Sequence, residues 1–76
     1  MILVSWNSKG LGSSLKLNAT RDVIKQEKLD VLMIQETNIS NQEFQNSIAT
    51  QKNYEGIATD SNGASGGIGT LWNKWN

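Results

Sequence analysis

Asp30-Val31-Leu32-Met33-Ile34-Gln35-Glu36 is a near-continuous apolar run of strand length, closed by polar residues on both sides. Because polar residues do not alternate within it, the run reads as a buried strand. The rest of the chain must supply the cover, and it has little to do so with. There are 76 residues, seven of them glycine, and Asn, Ser, Thr and Gln are abundant. Such a chain is at most one small domain. Below about 80 residues a core usually yields only about 3–5 kcal/mol, and small domains often add a staple. None is visible. Without cysteine or histidine there is no disulfide, no zinc site of the Cys/His type and no imidazole acid or base. Proline is also absent.

The opening Met1-Ile2-Leu3-Val4 is too short for a signal h-region or a membrane span, so no membrane partner is expected. Together with the missing cysteines this points to an intracellular setting. The sequons at Asn18 and Asn38 read as accidents of an Asn-rich sequence. Charge is uneven. Lys9, Lys16, Arg21, Lys25 and Lys28 outweigh Asp22 and Glu27 in the first 28 residues. Asp30, Glu36, Glu43, Glu55 and Asp60 then outweigh Lys52, and Lys74 brings the net to zero. The basic first third is a weak nucleic-acid footprint, with Lys9 and Lys16 as its candidate contacts.

The element order reads β-α-β-α-β-β. Ile2, Val4 and Trp6 alternate with Leu3, Ser5 and Asn7 in a first strand, apolar on both faces at its start and so read as buried. Lys9-Gly10-Leu11-Gly12-Ser13-Ser14 is loop chemistry. A helix is predicted over about residues 16–28, with Ala19, Val23 and Ile24 as its apolar stripe. Strand, helix and strand then form a crossover unit, parallel and right-handed if both strands share a sheet. Ser40-Asn41-Gln42-Glu43 is a capping box, and Ile39 with Phe44 forms a hydrophobic staple for a short helix over about 41–49. Tyr54 to Thr59 and Gly67 to Trp72 form a hairpin around Asp60-Ser61-Asn62-Gly63.

Both early strands end in polar residues, Asn7 in one and Gln35-Glu36-Thr37 in the other. As parallel neighbours they would bring Asn7 and Glu36 to the same sheet edge, where ligands bind in α/β sheets. A carboxylate beside a neutral amide suits a hard cation, since magnesium is often held by one or two carboxylates plus waters and phosphate oxygens. The blander reading gives Asn7 an Asx-turn in the glycine loop and Glu36 a local hydrogen bond. The glycine motifs match neither a P-loop nor a dinucleotide fingerprint. Trp6, Trp72 and Trp75 could stack on bases, although core or edge packing also accounts for Trp6 and Trp72.

Leu3-Val4-Ser5-Trp6-Asn7-Ser8-Lys9-Gly10-Leu11-Gly12 resembles the opening of the endonuclease/exonuclease/phosphatase superfamily. Leu29 to Thr37 resembles its second motif, a strand ending in Gln-Glu-Thr. Gly63-Ala64-Ser65-Gly66-Gly67-Ile68-Gly69-Thr70-Leu71-Trp72-Asn73 is similar to the third, in wording nearest the endonuclease domains of non-LTR (LINE-type) retrotransposons, plant ones especially. The resemblance implies the N-terminal portion of a four-layer α/β sandwich, with residues 1–76 as an incomplete domain. It implies that Asn7 contacts the scissile phosphate region and that Glu36 binds a divalent metal, Mg²⁺ or Mn²⁺. Gln35 and Thr37 stand beside them, and Ser65 to Gly67 form a tight entry to an inner strand. The implied reaction is metal-assisted phosphodiester hydrolysis with DNA as partner, and a nuclear site follows from the parent family.

There are departures. Lys9 stands where apurinic-site members often carry aspartate, and Leu29 replaces the usual proline. The later tyrosine, Asp-x-Asn, and final aspartate and histidine motifs are missing, and with them the rest of the domain and any reverse transcriptase. The expectation is therefore a fragment, inactive and poorly stable alone. The alternatives are a non-catalytic nucleic-acid-binding remnant and a fragment of a superfamily phosphatase.

Overall fold

The computed structural model describes residues 1–59 and 66–75. The elements are β1 (Leu3–Asn7), α1 (Ser14–Glu27), β2 (Val31–Gln35), α2 (Asn41–Ser47), β3 (Tyr54–Ala58) and β4 (Ile68–Asn73). This is the order read from the sequence. The Asp60-Ser61-Asn62-Gly63 turn and Ser65 lie outside the described residues.

One sheet carries the strands in the order β1-β2-β4-β3. β1 and β2 are parallel, joined through α1, while β4 runs antiparallel to both β2 and β3. The register sorts the side chains into two faces. Val4, Leu32, Leu71 and Gly56 align across the four strands, as do Trp6, Ile34, Gly69 and Ala58. That face meets the helices, and its core is Leu11, Ile24, Leu29, Leu32, Ile34, Ile39, Phe44, Ile48, Ala58 and Leu71. The Phe44 ring lies on Gly69, where a Cβ would fall 2.6 Å from its Cε1. Glycine there lets α2 approach the sheet.

The opposite face carries Leu3, Met33, Ile57, Ile68 and Trp72, all exposed. This corrects the reading of β1 as a buried strand. Leu3 is 60% exposed, because β1 is an edge strand and nothing among the described residues covers that face. The run in β2 is likewise buried on one side only, with Leu32 and Ile34 inside and Met33 outside.

Helix α1 begins two residues before its predicted start. Ser13 is the N-cap, its hydroxyl accepting from the Lys16 amide at 3.2 Å. Its buried stripe also differs from the prediction: Thr20 and Ile24 are buried, Leu17 is half-buried, and Ala19 and Val23 are exposed. Thr20 tolerates burial because its hydroxyl donates to the Lys16 carbonyl at 2.8 Å. Ala19 and Val23 instead line an apolar cleft of about 280 Å³ with Val4, Trp6 and Leu32. Helix α2 follows its sequence signature. Ser40 accepts from the Glu43 amide at 3.1 Å, and Ile39 and Phe44 are both buried. No helix among the described residues is long and apolar enough to cross a membrane.

Candidate active site at the carboxyl ends of β1 and β2

The parallel register pairs Asn7 with Gln35 at the last rung of β1 and β2. Beyond that rung both strands turn, and each turn is fixed by the other. The Asn7 Oδ1 accepts from the Lys9 amide at 3.1 Å, an Asx-turn that bends the chain out of β1. With its oxygen engaged there, the Asn7 amide presents Nδ2 to the second strand, where it donates to Glu36 Oε2. The Asx-turn of the blander reading is present, and it leaves the amide nitrogen to meet Glu36. One end of its amide makes the turn and the other meets the carboxylate.

Glu36 sits in the left-handed region, at φ 53°, which a non-glycine residue rarely occupies without support. The support comes from both neighbouring loops. The Glu36 carbonyl accepts from the Gly10 amide at 2.8 Å, and the Ser8 hydroxyl lies 3.1 Å from the carbonyls of both Gln35 and Glu36. The Thr37 carbonyl accepts from Leu11, the Thr37 amide donates to Gly67 and the Asn38 amide donates to Gly66. Gly67 has φ 92°, and a Cβ there would fall 2.6 Å from the Thr37 hydroxyl oxygen. Thr37 is fully buried, and its hydroxyl has no hydrogen-bond partner among the described residues.

The remaining candidates are placed around this pair. Gln35 is exposed on the open face of the sheet, and Lys9 is exposed in the turn at φ 53°. Lys16 reaches back from α1, its ammonium donating to the Ser8 carbonyl at 2.9 Å and to the Lys9 carbonyl at 3.2 Å. It is thus tied to the loop that follows Asn7. Ser8, only 3% exposed, also belongs to this arrangement. Its acceptors lie 27 and 28 residues away, so no local pattern marks it.

No protein-family model matches the chain, and no curated protein matches it. Solved structures do. An AP endonuclease from Leishmania major, LMAP, superposes with a TM-score of 0.71 at 29% identity, over 93% of this chain and 23% of that one. The catalytic domain of Xenopus laevis APE2 superposes with a TM-score of 0.68 at 22% identity, over 96% of this chain and 23% of that one. This is the N-terminal part of an AP-endonuclease-type fold. These structural neighbours belong to the endonuclease/exonuclease/phosphatase superfamily, whose architecture is a four-layer α/β sandwich. The chain spans about a quarter of the length of each neighbour.

The sequence resemblance implies a divalent ion at Glu36. The donor set bears on whether such an ion fits here. Among the described residues no three acidic, histidine or cysteine side chains converge. Glu36 offers an exposed carboxylate, while the Asn7 oxygen is committed to the Lys9 amide. One carboxylate beside an amide donor fits a hydrated magnesium ion that takes its other ligands from water and phosphate. It does not fit a cation needing a closed protein cage.

Proposed function

We propose that this chain carries the Asn7–Glu36 portion of a site for metal-assisted hydrolysis of phosphodiester bonds in DNA. The observation behind the proposal is the Asn7 Nδ2 donating to the Glu36 carboxylate across the carboxyl ends of two parallel strands. Glu36 would hold the cation, Mg²⁺ or Mn²⁺, which when bound supplies positive charge to developing charge on phosphate oxygens. Asn7 has one Nδ2 hydrogen engaged by Glu36. The other is left to donate to a phosphate oxygen or to orient a water. Lys9, exposed beside Asn7, adds a positive charge where a phosphate would approach.

The AP-endonuclease neighbours favour a nuclease over a phosphatase. Assignment to the retrotransposon branch rests on Lys9 and on the Gly63 to Asn73 wording. With one carboxylate in the site and no histidine in the chain, the 76 residues alone should not nick DNA. Incubation with supercoiled plasmid and Mg²⁺ should leave it intact. Robust nicking abolished by Glu36→Gln would overturn the inactivity. The site itself is tested by Mn²⁺ titration followed by electron paramagnetic resonance. Glu36→Gln should weaken binding at least tenfold, and unchanged binding would remove Glu36 from the site.

A further inference from the structure

The opposite end of the sheet carries a second concavity. It opens between the C-terminal end of α1, the segment before β3 and the end of β4, with a volume of about 380 Å³. Lys25, Lys28, Lys52, Asn53, Asn73 and Tyr54 are among its lining residues, and among the described residues no carboxylate is. None of the three lysine ammonium groups has an ion pair or hydrogen bond among the described residues. The two asparagines are oriented by Trp75. Its indole Nε1 donates to Asn53 Oδ1 at 2.8 Å, and its backbone amide donates to Asn73 Oδ1 at 2.9 Å. With both amide oxygens occupied, the free ends of these side chains are their NH₂ groups. The tyrosine hydroxyl is likewise committed, donating to the Leu29 carbonyl at 2.6 Å.

The lining therefore offers three cations and two amide donors, with the asparagine oxygens already taken. The last carbonyls of α1 act against an anion there, but they carry only about half a charge against three full ones. Lysine ammonium and amide N–H are the groups that bind phosphate oxygens. We infer that this cleft is a binding site for a phosphate-bearing anion. It stands a strand's length from Asn7 and Glu36 and shares no residue with them. Free pyrophosphate and the backbone of a nucleic acid present the same oxygens to it.

The test uses the ¹⁵N-labelled 76-residue chain. Inorganic pyrophosphate is titrated in one arm and a short oligothymidylate in the other, at fixed ionic strength. Saturable shifts should appear at Lys25, Lys28 and Lys52 and at the side-chain amides of Asn53 and Asn73. Saturation by pyrophosphate identifies a free phosphate ligand. Saturation by the oligonucleotide alone identifies a nucleic-acid backbone. Either outcome supports the site. Lys28→Gln/Lys52→Gln changes only exposed side chains and should weaken binding at least tenfold, whereas Gln42→Glu, an exposed position on α2 outside both sites, should not. Asn73→Asp keeps the oxygen that accepts from Trp75, replaces the donor by a negatively charged acceptor, and should weaken binding with both lysines intact. Unsaturable shifts spread over all lysines, equal weakening by Gln42→Glu, or unchanged binding by Asn73→Asp would each overturn the inference.

Discussion

At the scale of single residues, the candidate site depends on backbone held in an unfavourable conformation. Glu36 and Lys9 both have φ 53°, and they face each other across the Asn7 side chain. A left-handed non-glycine residue costs on the order of 1–3 kcal/mol and persists only where its surroundings over-determine it. Ser8 is one such constraint, since its buried hydroxyl spans the Gln35 and Glu36 carbonyls. Ser8→Ala should destabilise the chain by about 1 kcal/mol, a typical net value for one hydrogen bond. It should also weaken Mn²⁺ binding several-fold, because the Glu36 carboxylate loses its fixed aim. Parallel melts and Mn²⁺ titrations check both effects, and a loss of stability with unchanged affinity would make Ser8 merely structural. Gly67→Ala is harsher. It combines φ 92° with a contact of 2.6 Å to the Thr37 hydroxyl oxygen. A loss of about 2–3 kcal/mol is expected from thermal unfolding, within the range for a strained φ/ψ position.

At the scale of elements, α2 shows how a short helix is kept. Isolated helices of its length are marginal, so its stability must come from its cap and its packing. Ser40→Ala should cost about 1 kcal/mol through the lost bond to the Glu43 amide. Phe44→Ala should cost about 3–5 kcal/mol, because the ring is fully buried against Gly56 and Gly69 and its loss leaves a cavity. Urea unfolding of the two variants should give that ranking. The cap, the staple and the crossover unit could all be read from sequence because each is a local pattern. The buried stripe of α1 could not. Thr20 looks polar until its hydroxyl is seen to bond back to the Lys16 carbonyl. Ala19 and Val23 look like core residues until they are seen to line a cleft between α1 and the sheet. The pairing of Asn7 with Glu36 followed from parallel neighbouring strands. Ser8 did not, because its role exists only once β1 and β2 are side by side.

At the scale of the whole molecule, one face of the sheet decides how the chain behaves in solution. Leu3, Met33, Ile57, Ile68 and Trp72 lie exposed on that face, and β1 stands at its edge. Soluble monomers rarely expose contiguous apolar patches larger than a few hundred Å². An open strand edge beside such a patch is a further route to association. The chain should therefore self-associate at micromolar concentrations and melt broadly. Replacing Ile57 and Ile68 by lysine changes two residues that are 59% and 52% exposed and absent from the core. The double variant should sediment closer to a monomer, bind less of an apolar dye and keep its far-ultraviolet circular dichroism. Both positions lie outside the Asn7–Glu36 contact and the lysine cleft, so Mn²⁺ and pyrophosphate binding should persist. A wild-type chain that is monomeric with a sharp, cooperative melt would mean that the open face needs no cover. The sheet would then be stable with a single helical layer.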